Sequence, residues 1–162
     1  MSQQRQLAFR FMDDHDVIEA LGAGPIYWFS EWPTGEVPRT GSLVYTVWDR
    51  DGAFVYAGMS GRSASQSGTG PWGRLNSHAS GRRSGDQFCI YVCDRLVIPS
   101  LHNRLNELRS GALSLDQETR AYIRERLGFR RIAVAGPAEA FTIERSIQRG
   151  LLPAGKPFLN PL

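Results

Sequence analysis

A layered α/β or α+β fold is what this 162-residue sequence predicts. Three observations carry that expectation. Asp-Gly lies between two alternating apolar runs, a strong hairpin signal. A further strand-like run, rich in aromatic and β-branched residues, spans 87–96. Around these lie segments with helix starts at Pro or Ser and stops at Gly, giving a β-β-α-β order followed by more helices.

In chain order, Asp13 to Leu21 reads as a short helix, and the Gly/Pro/Trp-rich stretch to Gly41 as irregular covering structure. Leu43-Val44-Tyr45 and Tyr56-Ala57-Gly58 then flank the turn Asp49-Arg50-Asp51-Gly52. A four-residue loop would set Tyr45 opposite Tyr56; a two-residue Asp51-Gly52 loop would set Tyr45 against Gly58 and Tyr56 against Val47. Both registers leave the two phenols on one face, whereas an odd-length loop separates them. Residues 60–71 are a polar, glycine-rich loop, and a helix follows over 72–80, stopped by Gly81. Pro99 to Arg109 is helical in character. Ser114 with Gln117 resembles a capping box that opens a helix through Leu127, ended by Gly128. Phe129 to Ala135 suits a short strand, and Pro137 opens a last helix that runs to Gly150. The tail from Leu151, with its prolines, is expected on the surface or as an extended strap.

With 41% hydrophobic and 22% charged residues, the chain can bury a core without disulfides. No apolar run approaches the roughly 20 residues of a membrane span, and the N-terminus has no signal-peptide pattern. A cytoplasmic protein with reduced thiols at Cys89 and Cys93 is therefore expected. Those cysteines find no partners at metal-ligand spacing, since His15 and His102 lie elsewhere. The net charge of +3 conceals an asymmetry: residues 1–59 carry four basic and eight acidic groups, residues 60–109 seven and three, and residues 110–162 eight and five. The positive field begins where the hairpin ends, which suits a polyanion. Eighteen of the nineteen basic residues are arginine, whose planar fork matches phosphate.

Arg74 and His78 stand four apart, on one helical face, away from the apolar stripe of Trp72, Leu75 and Ala79. Glu144 is more telling. It falls inside the apolar arc of Ala140, Phe141, Ile143 and Ile147, where a carboxylate must be paired, hydrogen-bonded or metal-bound. No Gly-Lys-Ser/Thr follows the glycines at 58–73, so a nucleotide-binding P-loop is not supported. Ser60 lacks the spacing of a nucleophile elbow.

Taken together these residues resemble the GIY-YIG nuclease family. The resemblance runs in order through Leu43-Val44-Tyr45, Tyr56-Ala57-Gly58, Arg74, His78, Glu144 and Asn160, and covers roughly residues 41–162. The eleven-residue step from Tyr45 to Tyr56, the four-residue step from Arg74 to His78 and the sixteen-residue step from Glu144 to Asn160 match the family pattern. Met59 stands where some members carry lysine, a place Arg62 could fill. The resemblance implies a small three-stranded antiparallel sheet flanked by helices, with residues 1–40 as an N-terminal extension packed on a single domain. It implies one divalent ion, Mg²⁺ or Mn²⁺, held by Glu144. Tyr45 or His78 would be the general base, Arg74 would neutralise the scissile phosphate, Tyr56 would hydrogen-bond in the same cluster, and Arg62 and Asn160 would join Arg74 in binding substrate, Asn160 also pinning the tail.

The expected activity is metal-assisted hydrolysis of phosphodiester bonds, with DNA favoured over RNA and no membrane partner. The alternative is a binding module that kept the fold and lost catalysis, although such a module needs only the arginines. With no separate recognition domain in the sequence, target choice is left to nucleic-acid shape, a homodimer, the 60–71 loop or a partner protein.

Overall fold

The computed structural model describes residues 12–61 and 70–160. Its centre is an antiparallel sheet of four strands: β1 (Tyr27–Trp28), β2 (Ser42–Asp49), β3 (Phe54–Ser60) and β4 (Leu127–Val134), in the order β1-β4-β2-β3. Six α-helices surround it: α1 (Asp14–Ile18), α2 (Pro71–Ser80), α3 (Gln87–Val92), α4 (Leu105–Ser110), α5 (Leu115–Arg126) and α6 (Pro137–Gln148). The sheet therefore has one strand more than the three expected. The extra strand, β1, lies in the stretch read as irregular cover; two residues are too short for any alternation to show.

The hairpin combines features of the registers weighed from sequence. Tyr45 pairs with Gly58 and Val47 with Tyr56, as a two-residue loop would give. Yet the loop itself has three residues, Arg50–Gly52: Asp49 N–H bonds to Ala53 O, Gly52 N–H bonds to Asp49 O, and Gly52 takes φ +84°. The odd loop would put the phenols on opposite faces. A register shift at Val47/Trp48 restores them, because Trp48 pairs with Phe54 and leaves Val55 as the extra residue of a bulge.

The run at 87–96 is not a strand. Asp86 caps a helix there, its carboxylate accepting from the N–H groups of Phe88 and Cys89, and α3 continues through a π-helical turn, Cys93–Val97. Phe88, Cys89, Val92, Cys93 and Val97 are buried, a stripe at i, i+1, i+4, i+5 and i+9 that wraps a helix. The strand role falls instead to β4, which pairs with β2 along its whole length.

Successive residues of β2 feed two cores, as the two-residue strand period requires. Leu43, Tyr45 and Val47 join Leu75 of α2, Phe88 of α3 and Ile123 of α5. Val44 and Trp48, with Ala57 and Met59, meet Val17, Leu21 and the α6 residues Ala140, Ile143 and Ile147. The segment after α6 runs as a strap along β3: Phe158 N–H bonds to Phe54 O and Leu159 N–H to Val55 O. Among the described residues, no helix is long and apolar enough to cross a membrane.

Candidate active site

Tyr45 and Tyr56 lie in adjacent strands with ring centroids 6.4 Å apart. Gly58 makes room for both. A Cβ there would meet the Tyr45 hydroxyl, stand 2.6 Å from Tyr45 Cζ and 2.9 Å from Tyr56 Cε1, so the Tyr-Ala-Gly triplet is a packing requirement of the two phenols. Gly58→Ala is expected to cost about 2–3 kcal/mol through overpacking, measured as a lower urea midpoint; stability equal to wild type would contradict it.

Helix α2 brings the next two residues. Pro71 starts it and Gly81, at φ +70°, ends it. His78 does not sit on a polar face, as expected from sequence; it is fully buried, in one stripe with Leu75 and Ala79. Its ring packs 4.5 Å from Phe88 and 5.6 Å from Tyr45, measured between centroids. Arg74, one turn earlier, is exposed and hydrogen-bonds to Tyr45.

A further member of this cluster, Asp86, is not legible from the sequence pattern. Its Oδ2 lies 2.7 Å from His78 Nδ1, and His78 Nε2 lies 2.7 Å from the Tyr45 hydroxyl. Burial pushes the Asp86 carboxyl up, but the His78 hydrogen bond and charge, Ser77 and the Cys89 N–H outweigh it and hold the group at about 2. Asp86 is thus a carboxylate that can only accept, so His78 Nδ1 carries the proton and Nε2 accepts from Tyr45 O–H. Burial lowers the His78 pKa, with Asp86 opposing, so the imidazole is neutral near pH 7. Tyr45 is fully buried, and burial first, then Tyr56, raises its pKa well above the ordinary phenol value, against the pull of Arg74.

In front of this chain lies a cavity of about 350 Å³, whose lining includes Tyr56, Arg74, Glu144, Arg145 and Asn160. The expected residues therefore divide into two ranks. Tyr56, Arg74 and Glu144 face the cavity, while Tyr45 and His78 stand behind Tyr56 and Arg74. Glu144 is buried on α6, with Ala140, Ile143 and Ile147, and lines the cavity. Its charge bears on Tyr56, whose pKa is pushed up to about 12 by burial first, with Glu144 adding and Arg74 opposing.

Asn160 lines the cavity, but both ends of its amide are engaged with one residue of β3: Oδ1 accepts from Ala57 N–H at 2.7 Å and Nδ2 donates to Ala57 O at 2.9 Å. It pins the strap. Arg62 lies outside the described residues.

Among the described residues, Glu144 is the one carboxylate in the cavity lining, amid amides, phenols and two guanidinium groups. That donor set fits a hard cation that takes one carboxylate and fills its remaining positions with water and phosphate oxygen. Elsewhere among the described residues, Asp13, His15 and Asp16 group their ligand atoms within 4.8 Å at the start of α1, all exposed, an arrangement common without an ion. Comparison with protein-family models, with curated proteins and with solved structures finds no match for this chain.

Proposed function

We propose that the protein is a metal-dependent endonuclease of the GIY-YIG type, hydrolysing phosphodiester bonds in DNA. The observation that carries this reading is the meeting of Tyr56, Arg74 and Glu144 on one cavity, with the Tyr45–His78–Asp86 chain directly behind it. Glu144 would hold one Mg²⁺ or Mn²⁺ ion, whose chemistry there is Lewis-acid stabilisation of charge on the phosphate and leaving oxygen.

The chain's own residues have separable tasks. Arg74 binds a non-bridging oxygen of the scissile phosphate. As the phosphate draws that guanidinium outward, the Tyr45 hydroxyl opens to the attacking water. Tyr45 passes its proton across 2.7 Å to His78 Nε2, takes the water proton in exchange, and Asp86 stabilises the imidazolium that forms. Tyr56, neutral because its pKa is about 12, donates a hydrogen bond to the phosphate. This arrangement divides the base between Tyr45, which touches water, and His78, which stores the proton.

A catalytically inactive nucleic-acid-binding module is the second reading, favoured by one observation: Tyr45 and His78 are wholly buried. Supercoiled plasmid, linear duplex, branched DNA and RNA, each incubated with Mg²⁺ or with EDTA, separate the two. Nicking or cleavage of DNA that EDTA stops is the expected result. Binding without cleavage on every substrate would overturn the enzyme and leave the module.

A further inference from the structure

Resting on the nucleic-acid reading of the cavity, we infer that its substrate has unpaired bases, and that Phe141 and Phe158 are the platforms on which those bases stack. Among the described residues these are the exposed aromatic side chains, at 48% and 50% exposure; the others are buried or half-buried. Neither ring is part of the cavity lining, but each neighbours lining residues along the chain, and two half-open rings so placed point to a surface that something covers.

Their positions are set by the residues that line the cavity. Phe141 lies on α6 at i−3, i−4 and i−7 from Glu144, Arg145 and Gln148, all cavity residues, and therefore shares their helical face one turn upstream. Phe158 lies two residues before Asn160 on the strap. Its carbonyl accepts from Arg95 at 2.7 Å, and Arg95 stands one turn beyond Tyr91, another lining residue.

Each ring also carries a cation. Arg95 Cζ sits 4.0 Å from the Phe158 centroid, and Arg145 Cζ sits 5.7 Å from that of Phe141. A phenyl ring with a guanidinium over one face and half its surface open leaves the other face for a base and a charge for the adjoining phosphate. Bases inside a duplex already have both faces stacked, so such faces serve single strands, flaps or splayed ends. An apolar protein partner would not need a guanidinium at both rings.

The test is fluorescence anisotropy in EDTA, with fluorescein-labelled oligothymidylate of about 20 nucleotides, a duplex of the same length, and a strand of the same length made of abasic units. Phe141→Ala and Phe158→Ala should each weaken oligothymidylate binding on the order of 10-fold and leave the abasic strand unaffected. Phe141→Trp and Phe158→Trp should bind like wild type, with the new indole quenched on the oligothymidylate. Equal losses on the abasic strand, no loss at all, or a changed oligomeric state in sedimentation with unchanged DNA binding would each overturn the inference. The two readings fail separately: stacking without Mg²⁺-dependent cleavage removes the nuclease alone, and cleavage without an alanine effect removes the stacking alone.

Discussion

Glu144→Gln is expected to reduce Mg²⁺-dependent cleavage about 10²–10³-fold or more, the scale on which a single electrostatic contact to a reacting centre acts. Glutamine has nearly the same volume and can hydrogen-bond, so the fold should survive the change, with a stability cost set by the lost charge of a side chain only 5% exposed. The two effects separate cleanly: nicking rate on supercoiled plasmid reads the first, and a urea transition the second. A nicking rate equal to wild type would remove Glu144 from the metal site. A readout independent of activity is also available. Glu144 is one of the groups that raises the Tyr56 pKa to about 12, so removing its charge should move that pKa downward, seen as an earlier phenolate absorbance in an alkaline titration.

Asp86→Asn should lower cleavage by about 10²–10⁴-fold, the magnitude seen when a histidine is forced into the wrong tautomer. The Asp86 Oδ1 atom accepts two N–H groups at the start of α3, which fixes the oxygen of an asparagine in that place. Its NH₂ then occupies the position of Oδ2 and donates to His78 Nδ1, so the ring proton moves to Nε2. That nitrogen can no longer receive the Tyr45 proton. Because the cap is kept the fold should survive, but the lost Asp86 charge should lower the urea midpoint, so a loss of activity measured on protein that is still fully folded is the expected pair of results. Full activity in the variant would sink the relay.

The same chain sets a pH dependence. His78 has its folded pKa lowered below the ordinary 6.5, so above that value both folded and unfolded states are neutral there and nothing is lost. As pH falls below 6.5 the unfolded chain takes up a proton that the fold resists, and stability declines. Asp86 acts at lower pH: with its folded value at about 2 against 3.8, its stabilisation is complete above 3.8 and is lost as pH falls through 2. The acid limb of cleavage should accordingly lie below pH 6.5, where His78 Nε2 becomes protonated.

Much of this site is legible in the sequence, and the misses have physical reasons. The tyrosines and Glu144 stand out because a strand period and a helix period each make a definite statement about facing. His78 shares a helical face with Arg74, which sets it away from the apolar stripe on a wheel, yet its three-residue step from Leu75 leaves it at the edge of the buried side. The run at 87–96 mixes β-branched and aromatic residues, so its composition favours a strand, while Cys89 and Cys93 at i and i+4 fit a helix as well. Asp86 after Gly85 is the cap signal that decides it. What no local pattern reveals is that this cap also holds His78, because the seven intervening residues turn back through Gly81 and Gly85. The bulge at Val55 is equally silent, since a one-residue insertion leaves no mark on the apolar pattern.

The strap along β3 has a consequence for how the sheet meets the outside world. An outer strand presents a row of unpaired amides and carbonyls to any passing chain. Here the β3 edge is sealed at Phe54, Val55 and Ala57 by residues 158–160, and the opposite edge is blunted because β1 is only two residues long. The segment that closes one wall of the cavity is thus also the seal against strand addition. Loosening Asn160 would open the cavity and an aggregation-prone edge in a single movement.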